Sequence, residues 1–390
     1  MRALLLAGAA MTAFFAVPAM ADGPGDWNIT PYSTEVADWT LSVGGSANGT
    51  LFSSHQPADV DTSWVSGAAT LTSSLQRTSD SGLSLSLKTA FEIAHDKLSG
   101  DNYGSDLVQK VYGVVQTGLG RVELGMTDGA AYALSVTGPV VDGETSLDNP
   151  NATFYRDASG QAFINVFALN SAVESSLNYA KISYYTPRLF GVQIAASYTP
   201  SEGKGVLPFL SAGPHVANRQ HSIWEAALSY SDDFGPLSVG FYGGFAFAHA
   251  VAKTPGHAGL TDWGLGSEID YNLNDDVKLS LGGAWRHANT YAFDINNALA
   301  NGETTSAHLS AMLNYGSWLV GGEYGDGTAD GAPKLGVRGS EASIGYVFNN
   351  NLQATLGWQE LRYNRDAGSF YSGTPRISMN AAFFHLRLHV

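Results

Sequence analysis

Apolar and polar residues alternate along this chain with a period of two over long stretches. Leu83, Leu85, Leu87, Thr89, Phe91 and Ile93 alternate with Ser84, Ser86, Lys88, Ala90 and Glu92. Val192, Ile194, Ala196 and Tyr198 alternate with Gln193, Ala195 and Ser197, and Val277, Leu279, Leu281, Gly283 and Trp285 with Lys278, Ser280, Gly282, Ala284 and Arg286. The chain closes the same way: Phe384, Leu386, Leu388 and Val390 alternate with His385, Arg387 and His389. That period belongs to strands, not helices. The runs reach about ten residues, beyond the five or six of ordinary strands and enough, when tilted, to cross a bilayer.

The connections come in two kinds. Tight polar turns stand at Ser79-Asp80-Ser81, Gly118-Leu119-Gly120, Pro187-Arg188-Leu189, Asp232-Asp233-Phe234-Gly235, Asn274-Asp275-Asp276, Gly316-Ser317 and Asn349-Asn350-Asn351. These residue types take turn dihedrals cheaply. Between them lie longer segments near 54–62, 95–106, 127–175, 200–221, 250–259, 291–304, 325–336 and 365–376. Strict alternation of long and short connections predicts an all-β fold: a sixteen-stranded antiparallel transmembrane β-barrel, both ends of the exported chain on the short-turn side. In lipid every backbone N–H and C=O needs an internal partner, so the sheet has to close on itself. Trp39, Trp64, Trp263, Trp285, Trp318 and Trp358 fall near predicted strand ends, where aromatic girdles lie.

Charge decides which face is which. A Lys or Arg facing lipid costs about 2–4 kcal/mol at mid-membrane. Lys88 therefore points inward, opposite Leu85 and Leu87, and the same test turns Arg121, Glu123 and Arg387 inward. Lys110 is ambiguous, because valines occupy both parities around it.

The first twenty-one residues stand apart. Arg2 is followed by an apolar stretch from Ala3 to Val17 and by Ala19-Met20-Ala21, the pattern of an export signal cleaved after Ala21. The barrel then comprises residues 22–390. Removing Arg2 makes the net charge of -15 one unit more negative, which excludes nucleic acid as a partner. Only 14% of residues are charged, 45 are glycine and none is cysteine. No HExxH, GxSxG, Walker or GxGxxG motif is present, and His385 and His389 are too far apart on one strand to share an ion. No catalytic constellation emerges, so an enzyme is not expected.

Particular segments carry a family likeness. Gly120-Arg121-Val122-Glu123-Leu124-Gly125, then Lys181-Ile182-Ser183-Tyr184-Tyr185-Thr186-Pro187 with Phe190-Gly191-Val192-Gln193 and Ala196-Ser197-Tyr198-Thr199-Pro200, and finally Leu356-Gly357-Trp358 with the last strand, resemble the Gram-negative trimeric outer-membrane porin family, most closely its alphaproteobacterial branch. The resemblance implies an outer-membrane homotrimer, each monomer a water-filled channel for passive diffusion of small hydrophilic solutes and ions. It implies that the third long loop, about 127–175, folds inward as a constriction. That loop carries Asp128, Asp142, Glu144, Asp148, Asp157 and Glu174 against Arg156. Pore-wall basic residues facing it would be Lys88, Arg121 and Arg387, with Arg77 and Lys110 as weaker candidates. Acids opposite bases set up a transverse field that favours polar and charged solutes. The chain departs from the family in ending with Val390 rather than Phe and in lacking a Pro-Glu-Phe-Gly-Gly loop tip, Gly138-Pro139 being the nearest turn.

Other readings are open at this level. No cofactor is expected, and a Ca²⁺ ion on Asp142, Glu144 and Asp148 is a minor alternative, since the spacing is not that of an EF-hand. A substrate-selective channel with a lumen binding site would show saturable block. An exported soluble β-rich protein would need no detergent.

Overall fold

The computed structural model describes residues 31–56, 63–95, 108–149, 154–155, 169–201, 220–250, 259–290, 301–330, 334–349, 351–365 and 376–390. The expected export signal, 1–21, lies outside the described residues. The strands are β1 (Tyr32–Val36), β2 (Trp39–His55), β3 (Ser63–Thr78), β4 (Ser84–His95), β5 (Val108–Thr117), β6 (Gly120–Met126), β7 (Ala180–Tyr185), β8 (Val192–Ser201), β9 (Gln220–Phe234), β10 (Leu237–Ala250), β11 (Leu260–Asn274), β12 (Val277–Thr290), β13 (Asn301–Tyr315), β14 (Trp318–Ala329), β15 (Leu335–Val347), β16 (Leu352–Arg365) and β17 (Arg376–His389). One helical turn, α1 (Ala130–Ala133), follows β6.

Strands β2 to β17 make the closed sixteen-strand barrel. Each pairs antiparallel with the next, β9 pairs with β10, and β17 returns to β2 through ten residue pairs from Asn380↔His55 to His389↔Ser46. All seven predicted turns lie at the short connections. Gly235 and Gly316 take φ of +66° and +56°, which a tight hairpin demands and glycine adopts without strain.

Strand β1 is an addition to the sequence reading. It folds back on β2, from Tyr32↔Val43 to Val36↔Trp39, along the edge of β2 that β17 also uses. Gly45 then exchanges backbone hydrogen bonds with Val390 at 2.8 and 2.9 Å. One edge of the seventeen-residue β2 is thus completed by two different strands, β1 and β17. A side chain on Gly44 would place its Cβ 2.4 Å from the Val390 carbonyl oxygen, so the chain terminus is closely fitted to this strand.

The two faces differ as the alternation requires. Exposed outward positions include Leu85, Leu87, Ile194, Leu228, Phe241, Phe245, Leu265, Ile269, Leu281, Leu309, Val320, Ile344, Leu356 and Phe384. Two aromatic belts bracket them. Phe234, Tyr271, Tyr315, Trp318 and Phe348 lie by the short turns, and Trp224, Phe247 and Trp263 lie toward the long connections. Tyr271 and Trp263 are eight residues apart on one strand, which after tilt spans about 20 Å, close to the apolar band of such barrels.

Candidate functional site

Strands β6 and β7 are the shortest of the barrel, seven and six residues. They stop early because the chain leaves the sheet at Thr127 and rejoins it at Ala180, a slightly longer excursion than the 127–175 read from sequence. The described parts of this segment lie on the polar face of the sheet, held by side chains from strands all the way from β5 to β17.

Lys181, fully buried on β7, fastens both ends. Its ammonium donates to the carbonyls of Thr127, of Leu177 at 2.6 Å and of Ser176 at 3.4 Å. Glu225 on β9 accepts the backbone N–H of Ala131 at 3.2 Å and of Ser176 at 2.9 Å, and the Ser197 hydroxyl on β8 accepts that of Ala130 at 3.0 Å. The first N–H groups of a helical turn have no partner of their own, and here the wall supplies one. A Cβ on Gly129 would stand 1.9 Å from the Glu225 carboxylate, so this approach requires glycine.

Further round, Asp262 on β11 accepts two hydrogen bonds from Arg286 on β12, at 2.9 and 2.6 Å, and one from Ser175 at 2.6 Å. Ser306 on β13 donates to Asn170 O at 2.6 Å. His308 faces Thr137 O at 2.9 Å and Glu323 at 3.2 Å, and Glu323 on β14 also accepts Ser146 Oγ and Leu147 N. Gln353 on β16 donates to Val141 O at 2.8 Å. His385 on β17 donates to Asp142 at 2.5 Å, and Thr355 on β16 adds a bond at 2.9 Å.

Two features of shape let the segment approach this closely. Inward glycines form a trench: a Cβ on Gly266 would lie 1.7 Å from Val136 O, and one on Gly282 would lie 2.7 Å from Gly138 Cα. At the long-connection end of β14 to β17 the polarity of the inner face reverses. Val337, Leu361, Ile377, Met379 and Phe383 point inward and are covered by Leu147, Phe154, Tyr155 and Leu169. Phe154 stacks on Phe383 with centroids 4.9 Å apart. Burying each aromatic is worth roughly 1.5–3 kcal/mol.

The acids named from sequence take different places. Asp128 pairs with Lys110 at 2.6 Å, which settles the parity of Lys110 as inward. Asp142 is buried; burial raises its carboxyl, but the hydrogen bond and charge of His385 outweigh this and hold it below the usual range. Asp148 accepts from Ser171 N and Oγ, both at 2.7 Å, and burial lifts it above the usual range. Glu144 is exposed. Glu174 keeps part of its surface open, yet burial, reinforced by Asp128 and Glu225 and opposed by Arg286, pushes it up to about 7. Asp157 lies outside the described residues, as does Arg156. Among the described residues no group of three or more His, Asp or Glu converges as a metal site, and Asp142 and Asp148 turn to separate partners.

The basic residues lie on strands β4, β6 and β17. Lys88 is exposed on the inward parity of β4. Arg121 pairs with Glu123 at 3.0 Å and lies 4.2 Å over the Tyr185 ring. Arg387 shares the inward parity of His385. Around Lys88 the inner wall is hydroxyl-rich and partly open, with Ser46, Asn48, Thr72, Ser74 and Gln76. Arg77 corrects the sequence reading: it has the outward parity of Leu75 at the rim and pairs with Asp38 of the β1–β2 turn at 3.0 Å. The wall residues that grip the segment were not singled out from sequence. Their one sequence signal was a polar or ionisable residue at an inward position.

A sequence model described as Gram-negative porin matches residues 7–369. No curated protein matches the chain in sequence. Among solved structures, in-vitro folded OmpT, an outer membrane protein of Vibrio cholerae, superposes with a TM-score of 0.56 at 16% identity, over 92% of this chain and 99% of that one. The anion-selective porin from Comamonas acidovorans gives 0.54 at 15%, over 90% and 100%. A mutant of the Rhodobacter blastica porin gives 0.52 at 15%, over 90% and 100%. At these identities the likeness is one of fold.

Proposed function

Because the chain belongs to the Gram-negative porin family, we propose that it passes small hydrophilic solutes and ions passively through a lumen narrowed by the segment 127–179. It is an outer-membrane protein that crosses the membrane with its strands and forms a channel. One observation supports the narrowing above all: the segment is bonded to the polar inner wall from β7 round to β17, while the wall around Lys88 keeps its polar side chains open. In this reading Asp128, Glu144 and Glu174 supply the negative side of the passage, and Lys88, Arg121 and Arg387 the positive side. Asp142 and Asp148 act as anchors. We read the chain as a conduit that carries out no reaction. We infer cleavage of residues 1–21 on export, and assembly as a homotrimer; the Vibrio OmpT is described in a trimer form. Planar-bilayer recording of the refolded protein tests the channel reading. Stepwise conductance that rises with salt is expected, and its absence overturns the reading.

Charge on the constriction is expected to depend on pH. Glu174, raised to about 7 from 4.5, is neutral in the folded channel below that pH and gains its charge as pH climbs through it. Because the unfolded chain releases this proton first, its contribution to stability is present in acid and is lost between pH 4.5 and about 7. The cation-to-anion permeability ratio should therefore rise from pH 6 to pH 8, and Glu174→Gln should flatten that rise, read from reversal potentials in a salt gradient.

The trench gives a steric prediction. Gly266→Val has no space beside Val136 O, so the segment must move away from the wall into the passage. Overpacking of this kind costs about 1–3 kcal/mol, and single-channel conductance should fall below that of the parent.

A further inference from the structure

Between the end of α1 and the inner wall of β9 to β11 lies a cavity of about 360 Å³ with charge of opposite sign on its two sides. Arg188, from the β7–β8 turn, stands on one side. Its guanidinium is braced by Gly191 O at 2.7 Å, Ser229 Oγ at 3.1 Å and Gln193 Oε1 at 3.3 Å. These bonds fix its direction and leave part of its five-donor fork available. Glu268 and Asp270 stand on the other side, two apart on β11 and so on one face of it. Asp270 Oδ2 is held by Lys278 at 3.1 Å, while its Oδ1 is enclosed and has no hydrogen-bond partner among the described residues. Glu268 has no hydrogen bond or ion pair among the described residues. Val136 and Leu134 close the cavity from the loop side and Ser231 and Ser238 offer hydroxyls from the wall.

We propose that this cavity is a lumenal binding subsite for small elongated zwitterions of dipeptide size. Their carboxylate would meet Arg188, and their ammonium Glu268, with the negative charge of Asp270 beside it. The spacing selects the length. Ser229, which marks the guanidinium, pairs with Tyr242, and Glu268 pairs with Gly240 on the same strand, so the two ends lie two inter-strand spacings and two residues along the strand apart, about 12 Å between backbones. An α-amino acid carries its charges on adjacent carbons and so reaches across less of this interval than a dipeptide does. The volume falls within the range of small-molecule sites.

The proposal rests on the channel reading only for the solute's route to the cavity, and two readouts keep the questions apart. Calorimetric titration of detergent-solubilised, full-length exported protein with glycylglycine reads binding without conduction. Current block by glycylglycine in planar bilayers reads it within the open channel. Saturable binding is expected, at least tenfold weaker for acetylated glycinamide, which lacks both charges, and for glycine. Glu268→Gln and Arg188→Gln should each weaken glycylglycine at least tenfold while leaving the unblocked conductance unchanged. If Arg188→Gln disturbs its turn, Glu268→Gln alone decides the matter. Failure of glycylglycine to saturate the parent protein, or equal affinity in Glu268→Gln, overturns the subsite. Absence of any conductance overturns the channel reading, with the calorimetry still deciding the subsite.

Discussion

Arg286→Met, with Asp262 left in place, is expected to destabilise the folded barrel by about 3–5 kcal/mol, the usual result of stranding one member of a buried ion pair. Arg286 and Asp262 are 1% and 0% exposed, and the guanidinium meets the carboxylate through two hydrogen bonds. Neither group is reached by water, so the carboxylate left behind has no solvent to turn to. Asp262 also receives Ser175, so the change also loosens the segment 127–179 where it returns to the wall. Denaturant unfolding in detergent, followed by heat-modified electrophoretic mobility, reads the loss. The double variant Asp262→Leu with Arg286→Met should recover most of it, because an apolar pair of similar volume leaves no charge unpaired. Equal stability of the single variant and the parent would show that the pair is solvated.

The second large effect is expected at Lys181. Lys181→Met keeps the length of the side chain and removes the donor shared by the carbonyls of Thr127, Ser176 and Leu177. A buried acceptor left without its donor costs about 1–3 kcal/mol. These three carbonyls lie where the segment leaves and rejoins the barrel, so their release should fray both ends together. A loss of about 2–4 kcal/mol is expected, with open-channel current noisier than in the parent. Lys181→Arg should not rescue the parent behaviour, since the site is closed around a compact ammonium. Quiet current at parental stability would remove Lys181 from the anchoring scheme.

The barrel itself was legible because lipid and lumen impose opposite demands on adjacent residues. Leu85 and Leu87 against Lys88, and Phe384 against His385, record those demands directly, and the turn residues at 79–81 and 316–317 mark where they pause. Strand β1 was not legible. Five residues with charged Glu35 show little alternation, and the turn after it uses Ala37 at φ +51°, a residue with no turn signature. The inward apolar run from Ile377 to Phe383 was hidden for another reason: its cover, Leu147, Phe154, Tyr155 and Leu169, is more than two hundred residues distant in sequence. The acids of the long loop were found by composition, but composition says nothing of direction, and Asp142 and Asp148 turn to anchoring partners while Glu144 stays exposed. Lys181, Glu225, Asp262, Arg286, His308 and Glu323 lie on six different strands; only closure of the barrel brings them to bear on one segment. The abundance of glycine, at first only a departure from ordinary composition, is explained in part by positions such as Gly129 and Gly266, where backbone or carboxylate occupies the space of a side chain.

The central claim is that a segment clamped to the polar wall narrows a water-filled passage. Polymer exclusion in single-channel recordings measures that narrowing directly. Sixteen-stranded barrels enclose an aqueous channel wide enough to admit sizeable polymers when unobstructed. Graded polyethylene glycols should depress the conductance of this protein only at the smallest sizes, and larger ones should leave it unchanged. Entry of polymers matched to the full bore of the barrel would contradict the account.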